Sequence, residues 1–323
     1  MINPLEYKLE KYRGNKSRFT CPHCHKKNEF TRYIHPITEQ RLPHNVGICN
    51  RRDKCGYFYS NWDYFKENPS KYFNKTVQHN ITKINHTPSY IDQNLVRISM
   101  KHYKNNNLYS FLLCLFNQEQ AINTMKRYYI GTSKKWYGAS IYWQIDHNNK
   151  VRTGKIMLYN TKTGKRVHKK QTWVHSILNL EKFNLSQCLF GEHLINTENN
   201  SKDIAIVESE KTAIIASNYI SNITWLATGG LELLNPVTHP EKFKCLIGKN
   251  VILYPDLSLP NKFNGDTAFD NWSRKAFALK KLGINVNVSE LLEKNAADKE
   301  RNSGFDIADY FIQEHINQSY SNH

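Results

Sequence analysis

A chain of 323 residues is long enough for two or three folded units, since a single domain usually takes roughly 100 to 200 residues. Lys and Arg outnumber Asp and Glu by 45 to 28, a formal charge of +17, which argues against a cationic partner and for a polyanionic one. No apolar run approaches the roughly 20 residues needed to span a bilayer, and the opening MINPLEYKLEKYRGNK lacks the apolar core of a secretory signal, so the expected setting is the cytoplasm, with no membrane partner.

The basic charge is clustered. Residues 1–90 carry 16 Lys or Arg against 7 Asp or Glu. Between Asp146 and His175 lie Lys150, Arg152, Lys155, Lys162, Lys165, Arg166, Lys169 and Lys170, with Asp146 as the sole acid.

Residues 1–65 form the first predicted unit. Cys21 and Cys24 make a CPHC knuckle, and Cys49 with Cys55 makes a wider pair in CNRRDKC. Four thiolates close a tetrahedral shell around Zn²⁺, and such a shell holds together a unit too small to fold on an apolar core. The prediction is a structural zinc ribbon. Because five residues separate the second pair, His23, His25 and His44 stand as alternatives for one ligand. Arg51 and Arg52, on the turn inside that pair, are candidates for phosphate contacts. Four of seven cysteines in metal-ligand spacing fit a reducing compartment. The other three, Cys114, Cys188 and Cys245, sit among apolar neighbours and are expected to be buried structural thiols.

From 66 to 88 the composition turns to Asn, Lys, Ser and Thr with no sustained period, which reads as a linker. Over 89–200 two patterns follow. Leu108, Phe111, Leu112, Leu115 and Phe116 recur at spacings of three and four, which predicts helix between Tyr90 and Tyr129. Then ASIYWQID, KVRTGKIMLYN and RVHKKQTWVH are rich in β-branched and aromatic residues and separated by polar turns, which predicts an antiparallel sheet. In 201–323 the signals alternate: strands at DIAIVES, TWLAT, NVILYPD and INVNVSE, helices at KTAIIASNYI and DNWSRKAFALKKLG. Strands interleaved with helices imply parallel βαβ units, whose functional groups gather at the carboxyl ends of the strands.

Two acids stand at such ends, Glu208 after IAIV and Asp256 after NVILYP. Neighbouring parallel strands would bring them together, and like charges held close need a cation; oxygen ligation with waters suits Mg²⁺ or Mn²⁺. Here the residues resemble the Toprim family of bacterial primases, topoisomerases and related nucleases. VESEKTA looks like its first acidic motif, ATGG like the glycine turn after its second strand, and YPDLS stands where the family has Asp-x-Asp. GFDIADYF is similar to the tail of primase-like Toprim proteins, and the segment from Gly138 through CLFGEHL to the basic subdomain that precedes Toprim in replicative primases. Two positions depart from the pattern: Ser258 replaces the second Asp, and Ser209 the glycine after the first Glu. Asp266 and Asp270 are candidates for the missing magnesium ligand, with Glu210 and Asp306 as further ones.

The resemblance implies an α+β multi-domain chain: an N-terminal zinc β-ribbon, a mixed α/β basic subdomain with antiparallel strands, and a C-terminal Toprim domain with a mainly parallel sheet. It implies metal-dependent nucleotidyl transfer, primer synthesis on single-stranded DNA from nucleoside triphosphates, in a protein of the plasmid, phage or mobile-element kind. A separate helicase or nuclease subunit is a further candidate partner, and the lack of a Walker-type loop gives no support to a fused ATP-driven helicase. Glu208, Asp256 and Lys211 would be catalytic, while Arg152, Lys155, Lys165 and Arg166 would neutralise phosphate. The alternatives are a Toprim nuclease of a defence or mobile-element system and an inactive DNA-binding module.

Overall fold

Short runs of β-branched and aromatic residues bounded by polar turns build three four-stranded sheets in the computed structural model of the chain. It describes residues 7–36, 38–51, 54–68, 87–197, 203–230, 233–261 and 265–321. Nearly all of the 66–88 stretch predicted as a linker, and Arg52, lie outside the described residues. The chain divides into two units, Met1–Ile84 with Pro260–Gly265 and Asn85–Leu259 with Asp266–His323.

In the first unit, β1 (Lys8–Leu9), β2 (Phe30–Ile34), β3 (Gly47–Cys49) and β4 (Phe58–Tyr59) pair antiparallel in sequence order. Helix α1 (Asn61–Glu67) starts at Ser60, whose Oγ accepts the Asp63 N–H at 3.0 Å. The helix buries Tyr64 and Phe65 against Tyr7, Leu42 and Val46. A second cluster holds only Phe30 with Cys21 and Cys49 as buried members. An apolar core that small leaves stability to the thiols' chemistry.

The second unit begins with α2 (Gln93–Ser99), α3 (Asn107–Leu112) and α4 (Gln118–Arg127), so the predicted helical stretch breaks into short pieces. Asn106 and Asn117 cap α3 and α4, and such residues favour starts over interiors. Strands β5 (Gly131–Thr132), β6 (Ser140–Ile145), β7 (Val151–Tyr159) and β8 (Arg166–Trp173) form an antiparallel meander, followed by α5 (Val174–Leu178) and α6 (Leu194–Thr197). The third sheet is parallel, in the order β10 (Thr224–Ala227), β9 (Ile204–Val207), β11 (Asn250–Tyr254), β12 (Asn285–Val288). Helix α7 (Glu210–Tyr219) links β9 to β10 and α8 (Ala268–Lys281) links β11 to β12; α9 (Leu291–Asn295), α10 (Asp298–Ser303) and α11 (Ile307–Ser321) end the chain.

The pleat of β9 explains the layers. Ala205 and Val207 face one core with α4, α7 and α11, and Ile204 and Ile206 face another with α8. A strand buried on both faces reads as an unbroken apolar run, as IAIV does. The first of these cores also takes Tyr142, Met157 and Tyr159 from the meander. Residues on either side of Ser201 therefore share one apolar interior, and Tyr128 Oη reinforces it by donating to the Trp225 carbonyl at 3.0 Å.

Cys114 corrects an expectation: it is exposed, whereas Cys188 is buried and Cys245 half-buried. Helix α3 stops at Leu112, so the following Leu113 and Cys114 turn outward although their neighbours in sequence are apolar. Cys114 should therefore react with a thiol reagent in the native chain, while Cys188 reacts only after denaturation, a difference that mass spectrometry reads directly.

Candidate functional site

The four predicted ribbon cysteines converge. Their sulfurs all lie within 4.8 Å of one another, with Cys21–Cys55 at 3.8 Å and Cys24–Cys49 at 3.9 Å. A tetrahedral ion with Zn–S bonds of about 2.3 Å has sulfurs about 3.8 Å apart, so the set fits zinc. The wide second pair closes because the Arg51 carbonyl accepts N–H groups from Lys54, Cys55 and Gly56, which brings Cys55 back toward Cys49. No histidine is needed as a replacement, although His23 Nδ1 lies 3.5 Å from Cys55 Sγ. A backbone hydrogen bond from Lys26 brings the Cys24 thiol down to about 7, while burial pushes Cys49 up to about 12. Arg51 Nη1 points at Cys24 Sγ from 3.8 Å, so its charge serves the sulfurs.

At the carboxyl edge of the parallel sheet, Val207 of β9 is paired with Tyr254 of β11. Glu208 and Asp256 follow these residues and leave the sheet at the same edge on neighbouring strands. Ser209 then caps α7, its Oγ accepting the Thr212 N–H at 3.1 Å. Its backbone is extended (φ −103°, ψ 147°), so no glycine is required there and serine gains a capping bond instead. The ATGG turn does need one. Gly229 has φ +89°, and a Cβ on it would lie 3.1 Å from Glu210 Oε1.

Beside Asp256 the chain brings in a second acidic turn. The Leu257 N–H donates to the Phe305 carbonyl at 2.9 Å; Asp306 follows directly and Asp309 one turn later. Asp306 Oδ1 accepts the N–H groups of Ala308 and Asp309 at the start of α11, and its Oδ2 accepts the Thr212 hydroxyl at 2.6 Å. Asp309 Oδ2 accepts the Asp306 N–H at 3.2 Å. The Asp256 pKa is raised well above the usual carboxylate range by burial, then by the charges of Asp306, Glu208 and Asp309, against the opposing pull of Lys211. Burial and Asp306 likewise raise Asp309, with Lys211 and Lys165 opposing. Asp256 Oδ1 is buried with no hydrogen-bond partner. An orphaned carboxylate oxygen among acids is a fit for a hard divalent cation. Among the described residues, no three of these carboxylates bring ligand atoms within 4.8 Å of one another, as the ribbon thiols do.

The other predicted ligands, Asp270 and Asp266, have partners of their own. Asp270 closes a capping box with Thr267 at the start of α8, a set of bonds that lowers its pKa. Asp266 makes a two-bond ion pair with Arg274 at 3.0 and 2.6 Å. Ser258, at the family's second-Asp position, accepts the Ala268 N–H at 2.7 Å and so helps start α8. Asp309 went unnoticed in the sequence because Asp-x-x-Asp before an apolar run reads first as a helix start.

The basic candidates separate in the same way. Lys165 and Arg166 are exposed, and Lys211 is half-buried, its Nζ 5.9 Å from the Phe111 ring centre. Lys155 is buried, its Nζ 3.1 Å from Glu210 Oε2 and 2.8 Å from the Gly229 carbonyl. Arg152 pairs with buried Asp146 at 2.6 Å and covers the Tyr90 ring. Both side chains are occupied in holding the meander and the glycine turn, and neither offers a free cationic surface.

Residues 5–70 match the family model of a zinc beta-ribbon finger, and residues 106–257 match a domain of unknown function (DUF6371). No curated protein matches the sequence. Among solved structures, the chain is similar to the primase fragment of the bacteriophage T7 primase-helicase protein, at 15% identity over 88% of this chain and 96% of that one, with a TM-score of 0.35. It is also similar to the E. coli primase catalytic core (12% identity, 70% and 82% of the two chains, TM-score 0.40). A third likeness is to the zinc-binding and RNA polymerase domains of Aquifex aeolicus primase (13%, 89% and 77%, TM-score 0.31). At such identities the function rests on the site's own chemistry.

Two expectations test this geometry. Cys49→Ala should cost the chain one equivalent of zinc and expose residues 7–60 to limited proteolysis, read by metal analysis and mass mapping. Lys155→Ala should lower unfolding free energy in urea by about 3–5 kcal/mol, because it leaves the Glu210 charge buried alone; unchanged stability with lost DNA affinity would instead make Lys155 a phosphate contact.

Proposed function

We propose that this chain is a primase-like, metal-dependent nucleotidyltransferase acting on single-stranded DNA, with a structural zinc ribbon and a magnesium centre at the carboxyl ends of β9 and β11. The observation that carries the reading is the buried, unpartnered Oδ1 of Asp256 among Glu208, Asp306 and Asp309. Asp256 and Asp309 would hold the cation, with Asp309 standing in for the acid that Ser258 lacks. Magnesium bound there would neutralise triphosphate charge.

Primer synthesis joins the 3′-hydroxyl of one nucleotide to the α-phosphate of the next, with pyrophosphate leaving. The hydroxyl proton needs an acceptor, and Glu208 serves as that acceptor or as a further ligand. Lys211 and Lys165, already in electrostatic contact with these acids, would meet the phosphates, and Arg166 would extend that contact along the exposed strand.

Glu208→Gln should lower incorporation of labelled ribonucleotides on a single-stranded template by about 10²–10⁴-fold. Full turnover in that variant would remove Glu208 from the mechanism. Metal-dependent loss of the DNA would point to a nuclease, and retardation on a gel with neither activity to a binding module.

The raised acids add a pH signature. Because the folded-state pKa values of Asp256 and Asp309 lie above their unfolded values, stability falls as pH climbs from the unfolded value through the folded one. Added Mg²⁺ binds the ionised form, so it should raise Tm more at about pH 8 than at about pH 5. Asp256→Asn should raise the metal-free Tm at about pH 8 by roughly 2–4 °C for each kcal/mol recovered, and should abolish the Mg²⁺ effect, measured by thermal shift.

A further inference from the structure

Away from the acidic edge, three segments distant in sequence bring a nitrogen, an oxygen and a sulfur donor together. His147 sits in the turn between β6 and β7, Glu192 in the turn after Phe190, and Cys245 in the 3-10 helix Pro240–Leu246. One ligand atom from each lies within 4.8 Å of the other two. His147 Nδ1 is 2.7 Å from Glu192 Oε1, which also accepts the His147 backbone N–H at 3.2 Å. Glu192 Oε2 accepts the Leu189 N–H at 3.1 Å, so the buried carboxylate is fixed in place. The Cys245 thiol donates to the Lys242 carbonyl at 3.8 Å.

We propose that His147, Glu192 and Cys245 form a second zinc site, independent of the ribbon and of the magnesium centre. Imidazole, carboxylate and thiolate together suit a borderline cation of the zinc class, and three protein ligands with a fourth position left to water is a common arrangement for it. The open side is identifiable, because the His147 side chain is 38% exposed while that of Glu192 is 4% exposed. The surroundings are those of a ligand set. The Asn148 side-chain amide lies 3.2 Å from His147 Nε2, where a partner orients the ring, and nearby Asp146 is already taken by Arg152.

Without a metal the contact is unfavourable for a thiolate. Burial and the Glu192 charge both push the Cys245 thiol well up. A bound divalent cation reverses the sign of the local field, the thiol proton leaves to solvent, and sulfur and carboxylate share one positive centre. Such a site would pin the β6–β7 turn and the segment after Phe190 to the 3-10 helix.

The test is zinc content of the full chain after equilibration with zinc and removal of the excess. Two zinc ions per chain are expected, falling to one in His147→Ala and in Cys245→Ser, with the ribbon's ion retained. His147→Ala removes a half-buried ring at the open side and keeps the reading safe if Cys245→Ser disturbs packing, which circular dichroism would report. Titration with Co²⁺ supplies a second readout: a thiolate-to-cobalt absorption step after the ribbon has filled, absent in Cys245→Ser. One zinc per chain in the wild type, or the same zinc content in wild type and both variants, would overturn the proposal.

Discussion

A carboxylate shielded from water among other carboxylates is the constraint around which the second unit is arranged. Asp256 has one oxygen with no hydrogen-bond partner and three acids raising its pKa, a configuration that costs free energy unless a proton or a cation joins it. The sheet makes this crowding unavoidable. Parallel pairing of Val207 with Tyr254 delivers Glu208 and Asp256 to one edge, and the Leu257–Phe305 hydrogen bond sets the start of α11 against them. Backbone bonds thus hold the acids in place, and their mutual repulsion has little freedom to relax.

The first unit solves a different problem. Its buried apolar residues form two small clusters, and one of these consists of a phenylalanine and two of the candidate zinc ligands. Apolar burial on that scale does not offset the entropy of ordering some sixty residues, so the thiols' shared ion is what makes the strands worth forming. The aromatic segment after Tyr57 contributes β4 and the capped helix α1.

Much of the architecture was legible because its signals are local. The β-branched and aromatic runs between polar turns in the meander, the apolar IAIV run and the CPHC knuckle are each written in neighbouring residues. The acid proposed to stand in for the one that Ser258 lacks was harder to find. Asp266 and Asp270 are near Asp256 in sequence, yet α8 takes one as a cap and Arg274 takes the other. Asp309 lies 53 residues after Asp256 and arrives through tertiary packing, which no local pattern encodes. The meeting of His147, Glu192 and Cys245 was invisible for the same reason, and Cys245 among apolar neighbours looked like core.

Charge clustering gave the weakest guide to position. Of the eight basic residues between Asp146 and His175, Arg152 and Lys155 are spent on acids of the fold, and Lys170 lies 5.4 Å from the Trp136 ring centre. Lys162, Lys165, Arg166 and Lys169 stay exposed, the last two on β8 at the edge of its sheet, where cationic side chains also discourage pairing with another strand. Net charge therefore sets how strongly a polyanion is drawn to the molecule as a whole. Where it would be held depends on the few cations whose fields reach the acids, and of the predicted residues Lys165 and Lys211 meet that condition.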